Sequence, residues 1–134
     1  MPRKTTPPAA TRLPNDAAGA APRVRFRLRI TDGEVIAVGP GKIALLEAIE
    51  DTGSITAAAK NLDMSYRRAW VLLDELNRSM KAPAVASAQG GAAGGGSVLT
   101  DAGRELILLY RRVEATAAAA CRSDIRKMLA LLAR

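Results

Sequence analysis

Two adjacent arginines, Arg67 and Arg68, directly follow Ser65 and Tyr66. A guanidinium fork matches the O6 and N7 acceptors of guanine, so this run has the chemistry of base-edge recognition. Upstream, Ser54 and Thr56 stand where a helix would begin, and free amides at such a start attract a phosphate; Lys60 adds a cation one turn later. Each has a plainer reading. Arg67 and Arg68 can be solvated helix residues, and capping alone accounts for Ser54. Enzyme chemistry finds little to work with. There is no histidine, hence neither the commonest general base nor the commonest metal ligand. The lone Cys121 can form no internal disulfide or thiolate cage. A redox role beside Arg122 is conceivable, but burial as a small hydrophobe is the commoner fate of such a cysteine. No paired carboxylates or nucleophile–base pair can be placed. The glycine run from Gly90 to Gly96 lacks the Lys-Ser/Thr that a phosphate-binding P-loop requires. No enzyme activity, metal or cofactor is expected.

Composition points the same way. The 134 residues suit one domain, and 49% hydrophobic content is enough for a core. Twenty Lys and Arg against 13 Asp and Glu give a net charge of +7, which suggests a polyanionic partner: nucleic acid or an anionic membrane surface. The excess is local. Residues 1–40 carry +4, residues 41–80 carry −1 and residues 81–134 carry +4. No apolar stretch approaches the roughly 20 residues of a membrane span, and no secretory h-region follows Arg3, Lys4 and Arg12, so a cytoplasmic protein with no membrane partner is expected.

The elements that would position these residues can be read from periodicity. Residues 1–22 hold Pro2, Pro7, Pro8, Pro14 and Pro22 and are expected to form a disordered tail. Arg23 to Ile30 alternates strictly, with Val24, Phe26, Leu28 and Ile30 on one face and four arginines on the other, predicting a half-buried strand. Thr31–Glu34 supplies a turn and Val35–Val38 a partner strand. The arginine row can track phosphates or blunt a sheet edge against aggregation; the edge reading is the simpler. From Lys42 the period becomes helical through Leu45, Leu46 and Ile49, closed by Gly53. Ser54 then caps a second helix that buries Ile55, Ala58, Ala59 and Leu62, and Ser65 caps a third that runs to about Met80 over Ala69, Leu73 and Leu76. Two short helices joined at Asp63-Met64 form a helix-turn-helix whose second helix begins with Ser65, Tyr66, Arg67 and Arg68. Asp63 tolerates the positive φ such turns need, at about 1–2 kcal/mol. Trp70 is expected in the core, and Asn77 as a solvated helix residue.

Val85–Ala88 and Ser97–Leu99 flank the glycines as a hairpin wing, or the segment is a plain flexible loop. Thr100 caps the last helical region, where one stripe is Leu106, Tyr110, Val113 and Ala117 and another is Ile125, Met128, Leu129 and Leu132. Unbroken from Asp101 to Arg134, this helix would be about 50 Å long. A domain of this size is only about 28 Å across. The helix must therefore break near Arg122–Ser123 or pack on a second copy, and those eight residues are the expected dimer surface, although Tyr110 is large enough to be wanted in the core. The fold class expected is mostly α with small β: a winged helix-turn-helix over residues 23–100 with an N-terminal β-hairpin, and a dimerisation region over residues 101–134.

These segments also carry a resemblance. Gly53-Ser54-Ile55-Thr56-Ala57-Ala58-Ala59-Lys60, Met64-Ser65-Tyr66-Arg67-Arg68-Ala69-Trp70, Leu76-Asn77, the glycine run and Val98-Leu99-Thr100-Asp101-Ala102-Gly103 follow one another in order. Together they resemble the N-terminal DNA-binding domain of the molybdate-responsive ModE-type regulators, related to the LysR winged-helix group, over roughly residues 24–122. The resemblance implies a homodimeric winged helix on palindromic, double-stranded promoter DNA. Family members carry molybdate-binding domains C-terminal to this one; the sequence ends at Arg134, so no molybdate site is expected in it. The family wing commonly bears an arginine and a lysine, where Ser87 and Ala92 stand here. A specific regulator is the leading reading. A less selective architectural DNA-binding protein, or a heterodimerisation partner of longer regulators, are the alternatives.

Overall fold

A computed structural model describes residues 21–88 and 96–133; the expected tail as far as residue 20 and the glycine tip over residues 89–95, Ala92 included, lie outside the described residues. The N-terminal alternation makes less strand than its period promises. Residues 21–29 belong to no ladder, and strand β1 is only Ile30–Asp32, paired antiparallel with β2, Val35–Val38, with a register shift after Ile30. The physical reason is a competing partner. Phe26 and Leu28 do turn inward, yet they meet the last long helix, and the Leu28 carbonyl accepts from the Tyr110 hydroxyl at 2.8 Å instead of from a neighbouring strand.

Helix α1, Pro40–Thr52, starts two residues earlier than its apolar period suggests, because Pro40 stands at the first turn, where a missing N–H costs nothing. It is the centre of the core: Ile43, Leu45, Leu46 and Ile49 are essentially inaccessible. Gly53, at φ 73°, ends it, and its N–H donates to the Ile49 carbonyl. Helix α2, Ile55–Asn61, buries Ala58 and Ala59, small enough to let α1 and the following helix cross closely. Helix α3, Tyr66–Ser79, buries Ala69, Leu73 and Leu76.

Strands β3, Val85–Ala88, and β4, Gly96–Leu99, pair antiparallel from Val85↔Leu99 to Ala88↔Gly96, so the glycine segment is flanked by a hairpin. Helix α4 spans Asp101–Ala120 and α5 spans Arg122–Ala130. The expected break falls at Cys121, at φ −101° and ψ 12°, while Cys121 still donates to Ala117 and accepts from Ile125. The architecture is a mostly helical winged helix-turn-helix with two small hairpins. None of the described helices is long and apolar enough to cross a membrane.

Candidate nucleic-acid interface

The α2–α3 unit is fixed by local hydrogen bonds that its sequence specifies. The Ser54 hydroxyl accepts from the Ala57 N–H at 3.1 Å, and the Ser65 hydroxyl accepts from the Arg68 N–H at 3.0 Å, so both helices are capped. Between them Asp63 adopts φ 58°, and the Met64 N–H reaches back to the Ala59 carbonyl at 3.0 Å. Thr56 and Lys60 are exposed, whereas Ser54 is half-buried with its oxygen engaged in the cap.

The faces of α3 follow from a rotation of about 100° per residue. Opposite the buried Ala69, Leu73 and Leu76 lies an outward line of Arg67, Val71, Asp74 and Arg78. Arg78 pairs with Asp74 at 2.9 Å, which cancels the charge of the C-terminal half. Arg67, in the first turn, is left as the cation on that line. One flank carries Tyr66, Trp70 and Asn77; the other carries Arg68, Leu72 and Glu75. Ser65, Tyr66, Arg67 and Arg68 are all exposed and share the first turn.

Trp70 is 51% exposed, beside Tyr66 at 52%. This corrects the expectation of a core tryptophan: its neighbour Ala69 takes the inward position, and the next residue falls a quarter-turn away. Asn77 is likewise not a solvated residue. Its Oδ1 accepts from the Ala84 N–H at 2.8 Å and its Nδ2 donates to the Val85 carbonyl at 3.4 Å, so it ties α3 to the start of β3. The Tyr66–Trp70–Asn77 flank therefore faces the wing. The wing is further anchored by the Ser97 N–H on the Gly53 carbonyl at 3.0 Å and the Thr100 N–H on the Ala84 carbonyl at 2.9 Å.

Thr100 caps α4 through the Gly103 N–H at 3.0 Å, and Gly103 sits so tightly on Ala84 that a Cβ there would collide with its carbonyl oxygen. That close approach is the structural content of the Leu99-Thr100-Asp101-Ala102-Gly103 motif. Two further ties were not visible in the sequence, because their partners lie far apart in it. Arg111 of α4 clasps Glu47 of α1 through two bonds of 2.9 and 2.6 Å and also reaches Glu114; these carboxylates hold its pKa above the ordinary arginine value. Lys42, 4% exposed, donates to the Ile36 carbonyl and pairs with Glu75 at 3.1 Å, joining β2, α1 and α3.

The residues expected at a dimer surface divide. Tyr110, 3% exposed, lies in the chain's own core, and Leu106 packs against it; burial pushes the Tyr110 hydroxyl pKa up, with the Glu114 charge adding to it. Ala117, Ile125 and Leu129 are half-buried, and Val113, Met128 and Leu132 are exposed. Leu108, Leu109 and Leu131 are exposed as well, so the outward apolar residues of α4, α5 and the turn after them include three outside the expected stripe. Cys121 is exposed, not buried, because it lies at the break between α4 and α5, on their solvent side. Among the described residues no group of three or more His, Cys, Asp or Glu is placed to hold a metal.

Comparison with known proteins finds similarity to molybdenum-related proteins, some of them transcriptional regulators. The chain is 49% identical over 78 residues to the molybdenum-pterin-binding protein MopB of Rhodobacter capsulatus, covering 58% of this chain and 29% of that protein. It is 40% identical over 94 residues to the molybdenum transport protein ModE of Azotobacter vinelandii, covering 70% and 35%. It is 44% identical over 71 residues to the DNA-binding transcriptional dual regulator ModE of Escherichia coli K12, covering 53% and 27%. The chain thus spans about a third of the length of the curated relatives it matches. No family model matches it.

Proposed function

We propose that this ModE-like chain acts on double-stranded promoter DNA as a sequence-specific transcriptional regulator, a homodimer of LysR-like winged helix-turn-helix units working in the cytoplasm. The observation that carries the reading is the capped first turn of α3, where Arg67 stands outward between Tyr66 and Arg68, all three exposed. In this reading α3 enters the major groove with those side chains at base edges. Ser65 caps the helix beside the bases, while Thr56, Lys60 and the start of α2 at Ser54 meet backbone phosphates. Residues 23–100 make the DNA-binding unit, and residues 101–134 the dimerisation region. There the outward surface around Val113, Met128 and Leu132, supported by Ala117, Ile125 and Leu129, joins two copies, while Leu106 and Tyr110 stiffen α4 from inside.

The test is selection from a random duplex library by the purified protein at about 0.15 M salt. An enriched palindrome is expected, its half-site spacing reporting the separation of two α3 helices, about 34–36 Å or a multiple. Binding without enrichment would replace this reading with the architectural one. No binding to any duplex would overturn it.

A further inference from the structure

The chain's cations are unevenly placed around α3. Neither described strand of the wing, Val85–Ala88 or Gly96–Leu99, carries a lysine or arginine. On the opposite flank, a groove of about 470 Å³ opens between the N-terminal hairpin and α3, and Arg27, Arg29, Lys42 and Arg68 line it together with Glu34 and Glu75. Four cations thus face two carboxylates, and one pair is already made: Glu75 holds Lys42, which also donates to the Ile36 carbonyl. No ion pair among the described residues engages Arg27, Arg29 or Arg68. Arg68 comes from the first turn of α3, about 40 residues from the other two, so the fold itself brings three exposed guanidiniums to one groove.

We infer that this groove seats the phosphodiester backbone of the duplex, on the flank of α3 away from the wing. The inference rests on the DNA-binding reading above and adds to it a second anchoring surface. Guanidinium groups bind phosphate oxygens bidentately, and each neutralised phosphate releases condensed counterions, which makes the interaction visible as salt dependence. The strand running past the first turn of α3 is the one within reach, because Arg68 belongs both to that turn and to the groove wall. Arg27 and Arg29 then hold the phosphates next to the half-site that Arg67 reads. Arg27 and Arg29 thereby acquire a purpose other than protecting a sheet edge, consistent with residues 23–29 forming no ladder at all.

Arg25 provides the control. It belongs to the same alternating row but does not line this groove; it stands in a depression beside Arg111, Glu114 and Ala115 of α4, which Arg27 also borders. The full chain is compared with Arg27→Gln/Arg29→Gln and with Arg25→Gln on the selected duplex. The measurements are the slope of log affinity against log salt and the set of phosphates whose ethylation blocks binding. Far-UV circular dichroism confirms that each variant keeps its fold. The double variant is expected to shallow the slope by about 1 to 2, since each phosphate accounts for about 0.9. It should also lose phosphate interference on one side of the half-site, with the preferred bases unchanged. Arg25→Gln is expected to keep the wild-type slope. A double variant with wild-type slope and interference overturns the inference, as does an equal loss in Arg25→Gln, which would reduce the effect to net charge. A wild-type chain that binds no duplex overturns the DNA-binding reading itself, a result distinct from either.

Discussion

Arg67 holds the outward line of α3 at the turn where that line is cationic, because Asp74 has already taken Arg78. If it reads a guanine, Arg67→Ala should cost about 1–3 kcal/mol on the selected duplex and relax preference at one base pair. A uniform loss across all sequences, measured by titrating the same mutant against single-base variants, would assign it to the backbone instead. Tyr110 makes a prediction of the opposite kind, about folding. Its hydroxyl is buried on the Leu28 carbonyl, and burial raises its pKa. A raised folded-state pKa means stability that is complete below the unfolded value near 10 and is lost as pH rises through the folded value. Denaturant titrations are therefore expected to show stability falling above about pH 10. Tyr110→Phe should blunt that fall while costing about 0.5–1.5 kcal/mol at neutral pH for the lost hydrogen bond.

Among the elements, what could be read ahead of the structure is what depends on neighbours in sequence. Ser54, Ser65 and Thr100 cap the helices they precede, Gly53 and Asp63 take positive φ, and the stripe Ala69, Leu73, Leu76 faces inward, each by rules that operate within a few residues. What could not be read depends on partners elsewhere. The alternation of residues 23–29 is real, but α4 supplied a better neighbour than a second strand did. The size of Trp70 suggested burial, while its angle on α3, set by Ala69, decided otherwise. Asn77 is polar and mid-helix, and only the arrival of Ala84 and Val85 gives it work. The candidate first turn of α3 was thus legible, and the groove beside it was not, since Arg27 and Arg68 meet only in three dimensions. Gly103 offers the sharpest test at this scale. Alanine in an exposed helix would gain up to about 1 kcal/mol over glycine. Here its Cβ would enter the Ala84 carbonyl, and overpacking of that kind costs about 1–3 kcal/mol. Gly103→Ala is expected to lower the unfolding free energy and loosen the wing, measured by chemical denaturation and by amide exchange at Thr100.

For the molecule as a whole, the outward apolar residues of the last two helices set the expected assembly. Val113, Met128 and Leu132, with Leu108, Leu109 and Leu131, are exposed apolar residues on α4, on α5 and just after it. Sedimentation at micromolar concentration should show a dimer. Met128→Glu/Leu132→Glu should yield folded monomers whose melting temperature no longer rises with protein concentration, since the stabilisation supplied by subunit association is lost. Those monomers should lose the preference for a palindrome over a single half-site. A wild-type chain that sediments only as monomer would remove the dimer from the proposed mechanism.

The chain has one tryptophan, and the fold leaves it half in water beside Tyr66, on the wing-facing flank of the helix proposed to enter DNA. Its fluorescence therefore decouples two events that a buried indole would report together. Unfolding should change the emission little, because the ring begins solvated, whereas a duplex laid along α3 should displace that water and quench it. A urea titration followed by emission and by circular dichroism, set against a DNA titration followed by emission, would show whether this indole is a silent witness to folding and a sensitive one to binding.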